Sequence, residues 1–239
     1  MALPVFFQEA DWKFGQEIWL HEDTARHVVQ VLRMQCNEQL KLTDGKGNEL
    51  LVTISVAAKK KCAVVLNEIV VHQPKKNKLH LAVAFTKNTS RNEWLLEKAT
   101  ELGVSSILPI IVTRSEKEKI RYDRWKNILV SALIQSQQYY LPELWEAVSL
   151  KELLKRNNNI PQKLIAHCIE GNEKMPLLQT KNNTETIMLI GPEGDFTNDE
   201  VNLCLENGFQ PVDLGSQRLR TETAAMAVCA YFNFVNHEI

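Results

Sequence analysis

From Leu79 onward, short stretches that are near-continuously apolar alternate with stretches that are apolar on one side only. That alternation restricts the fold more than any other feature of the chain. Residues 79–85, 106–112, 163–169, 186–190 and 211–214 read as strands. Between and after them, 92–102 carries Trp94, Leu95, Ala99 and Leu102 at helical spacing and stops at Gly103. Residues 122–138 do the same with Trp125, Ile128, Leu129, Ala132 and Leu133, and 198–206 and 222–235 complete the helices. A strand with no polar face must be covered on both sides. The alternation therefore predicts an α/β fold with a mostly parallel sheet between helices.

The first seventy or so residues keep a different rhythm. Short strands are predicted at 5–7, 17–20, 39–43, 49–56 and 62–70, with Asp44-Gly45-Lys46-Gly47-Asn48 as a hairpin turn. One helix, 23–32, interrupts them with Asp23 as its N-cap. Such spacing suggests a small β-barrel. The polar segment HQPKKNK at 72–78 is the linker candidate, so the expected domains are 1–72 and 79–239 joined by 73–78.

Composition narrows the function classes. An apolar share of 44% and a charged share of 24% are those of a globular protein, and no run approaches the length of a membrane helix. The start, MALPVFFQEADWK, lacks the basic and apolar regions of a signal peptide. Five scattered cysteines without a CxxC pair point to a reducing cytoplasm and away from disulfides or structural zinc. The net charge of −1 does not mark a nucleic-acid binder. Basic clusters at Lys59–Lys61, at Lys75, Lys76 and Lys78, and from Arg114 through Lys117, Lys119, Arg121 and Arg124 to Lys126 leave local patches open. No histidine spacing fits a metal, and His167, inside a predicted strand, reads as a satisfied core residue.

In parallel sheets ligands bind beyond the carboxyl ends of the strands. Two glycine-bearing loops fall there. Ile190-Gly191-Pro192-Glu193-Gly194-Asp195-Phe196 leads into a Thr197-x-x-Glu200 capping box. Leu214-Gly215-Ser216-Gln217-Arg218-Leu219-Arg220-Thr221 leads into a helix whose first turns carry Ala224, Ala225 and Ala227. Small residues let backbone approach a ligand, while Glu222 has a structural reason to sit at a helix N-terminus. Read alone, the residues reach an α/β enzyme with a pair of ligand loops.

GPEGDF at 191–196 with LGSQRLRTETAAMAV at 214–228 resembles the RsmE-type 16S ribosomal RNA uridine N3-methyltransferases of the SPOUT superfamily. FTKNTSRNEWLLEKATELGV at 85–104, RHVVQVLRMQ at 26–35 and LTDGKGNE at 42–49 extend the resemblance in order along nearly the whole chain. It implies an N-terminal PUA-like RNA-binding barrel, a C-terminal α/β methyltransferase domain with a trefoil knot, a homodimer, and S-adenosylmethionine as cofactor without a metal. The cofactor would meet the loop after strand 163–169, together with Ile190, Gly191, Pro192, Glu193, Gly194, Leu214, Gly215, Leu219 and Ala224. Arg220 would stabilise charge on the target uracil, with Thr221 and Glu222 ordering the base or accepting its proton. Lys87, Arg91, Arg114 and Arg33 would contact the 16S RNA or the small ribosomal subunit. The segment IQSQQYYLPEL at 134–144 departs from the family, with Gln137 and Gln138 where an arginine is usual. A SPOUT methyltransferase for another RNA, and a non-catalytic ribosome-assembly factor, stay open as alternatives.

Overall fold

The computed structural model describes residues 3–116, 120–156, 159–170, 173–181 and 184–235, so Lys117 and Lys119 of the third basic cluster lie outside the described residues. The chain forms two compact units. The first is Met1–Pro74 with Leu133–Leu141, and the second is Lys75–Ala132 with Pro142–Ile239.

In the first unit, β1 (Val5–Phe7), β2 (Glu17–Trp19), β3 (Gln39–Thr43), β4 (Asn48–Ala58) and β5 (Lys61–Val71) form one sheet in the order β1-β3-β4-β5-β2. Only the β1–β3 pair is parallel. Register aligns Leu40 with Val52, Leu42 with Leu50 and Ile54 with Val64, all buried, so alternate residues of three strands build one apolar face. Two register shifts, at Leu51/Val52 and Ile54/Val56, interrupt the long β4–β5 ladder, and such bulges bend and twist a strand pair. The helix that covers this core differs from the expected one. It starts at Glu22 as α1 (Glu22–Arg26), with no side-chain cap, and continues as a π-helical turn over His27–Val31. Asp23 therefore lies in the first turn, where its charge suits the helix dipole, and Ala25 and Val28 pack into the core.

The Asp44 turn is built as its sequence suggests. Asp44 Oδ1 accepts from Lys46 N at 2.8 Å and from Asn48 N at 3.3 Å. Gly47 is required twice over: its φ is +97°, and a Cβ there would lie 2.3 Å from the Tyr140 ring. That ring belongs to Leu133–Leu141, which is tied to the turn by Gly47 N to Tyr139 O at 2.8 Å and Leu141 N to Gly45 O at 2.9 Å. Gln137, one of the two residues that depart from the family pattern, takes a left-handed φ of +53° just beyond the helix end.

In the second unit all strands run parallel. They are β6 (Leu79–Val83), β7 (Ser106–Ile111), β8 (Glu143–Leu144), β9 (Val148–Ser149), β10 (Gln162–Ala166), β11 (Met175–Pro176), β12 (Thr186–Ile190) and β13 (Gln210–Asp213). Their order is β11-β13-β10-β12-β6-β7-β8, with β9 also on β7. Helices α2 (Thr89–Glu101), α3 (Tyr122–Gln135), α4 (Leu150–Arg156), α5 (Asn198–Glu206) and α6 (Thr221–Val235) complete the chain. Every residue of β12 is buried, which is why that stretch is apolar from Ile187 to Ile190. One face, with Ala82, Ile165, Ile187 and Leu189, packs on Leu153 and Leu154 of α4 and Val201 and Cys204 of α5. α6 packs on β6 and β12 and meets α2.

Helix α2 starts a turn earlier than its apolar spacing predicts, because the Asn88 side chain caps it by accepting from Arg91 N at 3.1 Å. It stops as predicted: Gly103 N bonds Thr100 O and Val104 N bonds Ala99 O, the paired bonds of a Schellman end. Strand β10 ends at Ala166, three residues before the expected end.

Glu49 is the electrostatic centre of the first unit. It pairs with Lys41 and with His72 Nε2, the latter at 2.9 Å, and the His72 ring stacks on Tyr139 at 4.0 Å. Burial pushes the Glu49 carboxyl up, but hydrogen bonds from Lys41, His72 and Tyr139 outweigh it and hold it at about 2. A carboxyl lowered on folding contributes stability above its ordinary value near 4.5 and loses it as pH falls toward 2. Glu49→Gln is expected to melt several degrees below the wild type at pH 7. Circular-dichroism melts should show that gap narrowing as the pH drops below 4.5.

Candidate active site

Three neighbouring strands set the floor of the site. Register places Ala166 beside Ile190 on one side and beside Val212 on the other, so the carboxyl ends of β12, β10 and β13 form one row. A parallel sheet sends all its strand ends to the same edge, which makes that edge the place for loops that bind. Here the loops after β10, β12 and β13 surround an open cleft of about 630 Å³. Its lining includes Ile190, Gly191, Pro192, Glu193, Leu214, Gly215, Leu219, Thr221 and Ala224. Of the residues assigned to a cofactor from the sequence, Gly194 alone is absent from that lining.

The loops are fixed by hydrogen bonds among themselves. Thr221 Oγ1, buried at the start of α6, donates to Gly191 O at 2.9 Å and fastens the third loop to the second. Asp195 fastens the second to the first: its Oδ2 accepts from Cys168 N at 2.7 Å and its Oδ1 from Phe196 N at 2.8 Å. Asp195 adopts φ +62°, a left-handed conformation that aspartate tolerates better than most residues. Gly191 leaves room for the buried Phe196 ring, which a Cβ would meet at 3.0 Å. Behind Gly194 lies Arg114, whose Nη1 donates to Gly194 O at 2.8 Å and to Phe196 O at 3.3 Å. The Thr197–Glu200 capping box is present, and Glu200 also accepts from Thr113 N at 2.7 Å.

His167 departs from its sequence reading. With β10 ending at Ala166, it falls in the first loop, lines the cleft, and is 7% exposed, with no hydrogen-bond partner for either ring nitrogen among the described residues. Burial lowers its pKa, the Lys174 charge lowers it further and Asp195 opposes both, so the ring is neutral at pH 7. The signal in the sequence was its place at a strand's carboxyl end.

A second, more open pocket of about 690 Å³ adjoins the first and shares Glu193, Arg218 and Leu219 with it. Arg91 and Arg220 complete its lining. Arg220 is exposed and makes no ion pair among the described residues. Arg91 Nη1 donates to Glu193 Oε1 at 2.7 Å, and its Nε lies 3.5 Å from Glu222 Oε1. Glu222 is buried and lines neither pocket. Lys87 lines neither pocket and pairs with Glu116 at 3.0 Å. Arg33 belongs to the first unit, left-handed at φ +57° just beyond the π-helical turn. Among the described residues no cluster of His, Cys, Asp or Glu is arranged to hold a metal, and no helix is long and apolar enough to cross a membrane. A floor of apolar strand ends beside an arginine-lined opening suits a reaction in which a small ligand meets an anionic or polar partner at the shared rim.

The sequence matches the family model described as an RNA methyltransferase domain over residues 73–233, and the one described as an RNA methyltransferase PUA domain over 20–67. The ribosomal RNA small subunit methyltransferase E of Rickettsia conorii is 32% identical over 218 residues, covering 90% of this chain and 89% of its own. The Bacillus subtilis protein of that name is 27% identical over 222 residues, covering 85% and 84%. Among solved structures, ribosomal RNA small subunit methyltransferase E from Neisseria gonorrhoeae, bound to S-adenosyl methionine, superposes with a TM-score of 0.85. It is 29% identical over 98% of both chains.

The Asp195 bridge carries a prediction of its own. Asp195→Ala loses two hydrogen bonds and places a Cβ without a polar partner in the left-handed region, and is expected to cost about 2 kcal/mol. Asp195→Asn, which tolerates that conformation and keeps one of the two acceptor oxygens while its NH2 faces the other N–H, should fall between the wild type and Asp195→Ala. Urea unfolding of the two variants beside the wild type measures both.

Proposed function

The chain belongs to the RNA methyltransferase family, and we propose that it transfers a methyl group from S-adenosylmethionine to N3 of a uridine in 16S ribosomal RNA of the small subunit. The observation that carries this reading is the pair of adjoining pockets, one floored by three strand ends and one lined by arginines, with Glu193, Arg218 and Leu219 common to both. The relatives named for small-subunit ribosomal RNA support the substrate, and the relative solved with S-adenosyl methionine supports the cofactor.

The cleft lies where three strand ends and their glycine-bearing loops meet, and the orphaned His167 nitrogens beside it are polar atoms awaiting partners. Gly191, Pro192, Leu214, Gly215, Leu219 and Ala224 would hold it, with backbone close to the ligand. When bound, S-adenosylmethionine supplies an electrophilic methyl carbon. The protein's own task is largely orientation, since uracil N3 must be held in line with that carbon. N3 carries a proton between two carbonyls, and its loss leaves negative charge on O2 and O4. Arg220 stabilises that charge, which favours loss of the proton. Thr221 holds the turn that presents Arg220 by its bond to Gly191.

The proposal extends to a SPOUT-type trefoil knot, to a homodimer, and to a cytoplasmic site of action on RNA or the small subunit; the expected partition at 73–78 is modified by Leu133–Leu141, which packs with the first unit. Lys87 and Arg33 are its phosphate contacts. Arg114 stands behind the loop that its guanidinium braces.

The test is methylation of 16S ribosomal RNA lacking the mark, read by nucleoside mass spectrometry and by primer extension, since an N3-methyl group blocks base pairing and stops the polymerase. Arg220→Ala is expected to lower kcat about 10²–10³-fold, as loss of one charge-stabilising donor does. Its calorimetric affinity for S-adenosylmethionine should stay at the wild-type level. A wild-type protein that yields no 3-methyluridine refutes the reading.

A further inference from the structure

Glu222 follows Arg220 and Thr221 in the sequence, yet it does not share their access to the pockets. Its side chain is 11% exposed, its Oε2 is buried without a hydrogen-bond partner, and it lines neither pocket. A carboxylate beneath the surface is poorly placed to take a proton from a base lying in the open pocket. It is well placed to hold a cation. Arg91 Nε lies 3.5 Å from Glu222 Oε1, while Arg91 Nη1 is bonded to Glu193 on the other side. Arg91 in turn does line the open pocket, beside Arg218 and Arg220. Three guanidiniums at one opening repel one another; Glu193 at the rim and Glu222 behind Arg91 relieve that repulsion, and three cations against the one carboxylate of the lining leave the opening positive.

We propose that Arg91, Arg218 and Arg220 together form a site for an anionic oxygen of the RNA, and that Glu222 is a positioning residue acting through Arg91, with Glu193 as the second anchor. The inference rests on the RNA methyltransferase reading above. The oxygen has two possible sources of one chemistry, the uracil as it loses its N3 proton or a neighbouring phosphodiester. In either case Glu222 does not accept the proton, which passes to solvent.

Steady-state methylation of 16S ribosomal RNA by Arg91→Ala, Arg91→Lys, Glu222→Ala and Glu222→Gln tests this. Glu222→Gln keeps an oxygen that accepts from Arg91 but cannot serve as a base, so it should retain kcat/KM within about tenfold of the wild type. A general base at this position would instead lose about 10²–10⁴-fold in the same variant. Arg91→Ala and Glu222→Ala should lose activity alike, their double variant should be no worse than either, and Arg91→Lys should recover part of the loss. If the oxygen is the uracil's, Arg91→Ala lowers kcat and leaves the salt dependence of KM unchanged. If it is a phosphate's, KM rises and the slope of log KM against log salt falls by about one contact's worth.

Calorimetry with S-adenosylmethionine on each variant shows that the fold and first cleft are intact. A Glu222→Gln variant as inactive as Glu222→Ala, or an Arg91→Ala variant with wild-type kcat and KM, overturns the proposal. Should the wild type methylate no uridine, the broader reading fails by itself. The arginine site is then tested by anisotropy with a fluorescein-labelled RNA oligonucleotide, which Arg91→Ala and Glu222→Ala bind more weakly than the wild type and Glu222→Gln does not.

Discussion

The second unit depends on the parallel register that sets Ala166 between Ile190 and Val212. Because β12, β10 and β13 point the same way, three separate loops leave the sheet along one edge, which brings residues 167, 191 and 214 together. The register is anchored by β12, buried along its whole length, and by Leu164 and Ile165 of β10 and Val212 of β13. The hydrogen bonds of Thr221 and Asp195 then fix loops that the sheet has already gathered. Packing decides where the site is, and a few polar contacts decide its shape.

Much of this was legible in the sequence, and the reasons differ by element. Strand β12 was plain because all its residues are buried, and α5 because the Thr197–Glu200 box is a local signal that needs no tertiary context. Gly103 ended α2 for a local reason as well. The start of α2 was misplaced because the cap, Asn88, precedes the apolar spacing. The two-residue strands β8, β9 and β11 carry no period, and the short α4 left too little pattern to notice. The π-helical turn at His27–Val31 shifts the face of a helix that spacing alone would draw as regular.

The candidate site divides the same way. Glycines and small residues announced the two loops, since a backbone that must approach something constrains its own composition. His167 reads as a core residue in the sequence because a strand end moved by three residues turns a core position into a lining one. The meeting of Arg91 with Glu193 and Glu222 was invisible, because it joins residues more than a hundred positions apart with ordinary surface identities. Only the fold reveals that one guanidinium faces two carboxylates while it opens onto a pocket.

The excursion of Leu133–Leu141 into the first unit has a consequence for how this chain can evolve or be dissected. The N-terminal unit is not a cassette. A fragment ending at Pro74 would carry Gly47 with no Tyr140 ring above it and His72 with no Tyr139 to stack on. Its partner fragment would carry those two aromatic rings without their seat. Exchanging residues 1–74 alone between relatives would separate Gly47 and His72 from the two rings that pack on them, so the distant stretch Leu133–Leu141 would have to travel with it.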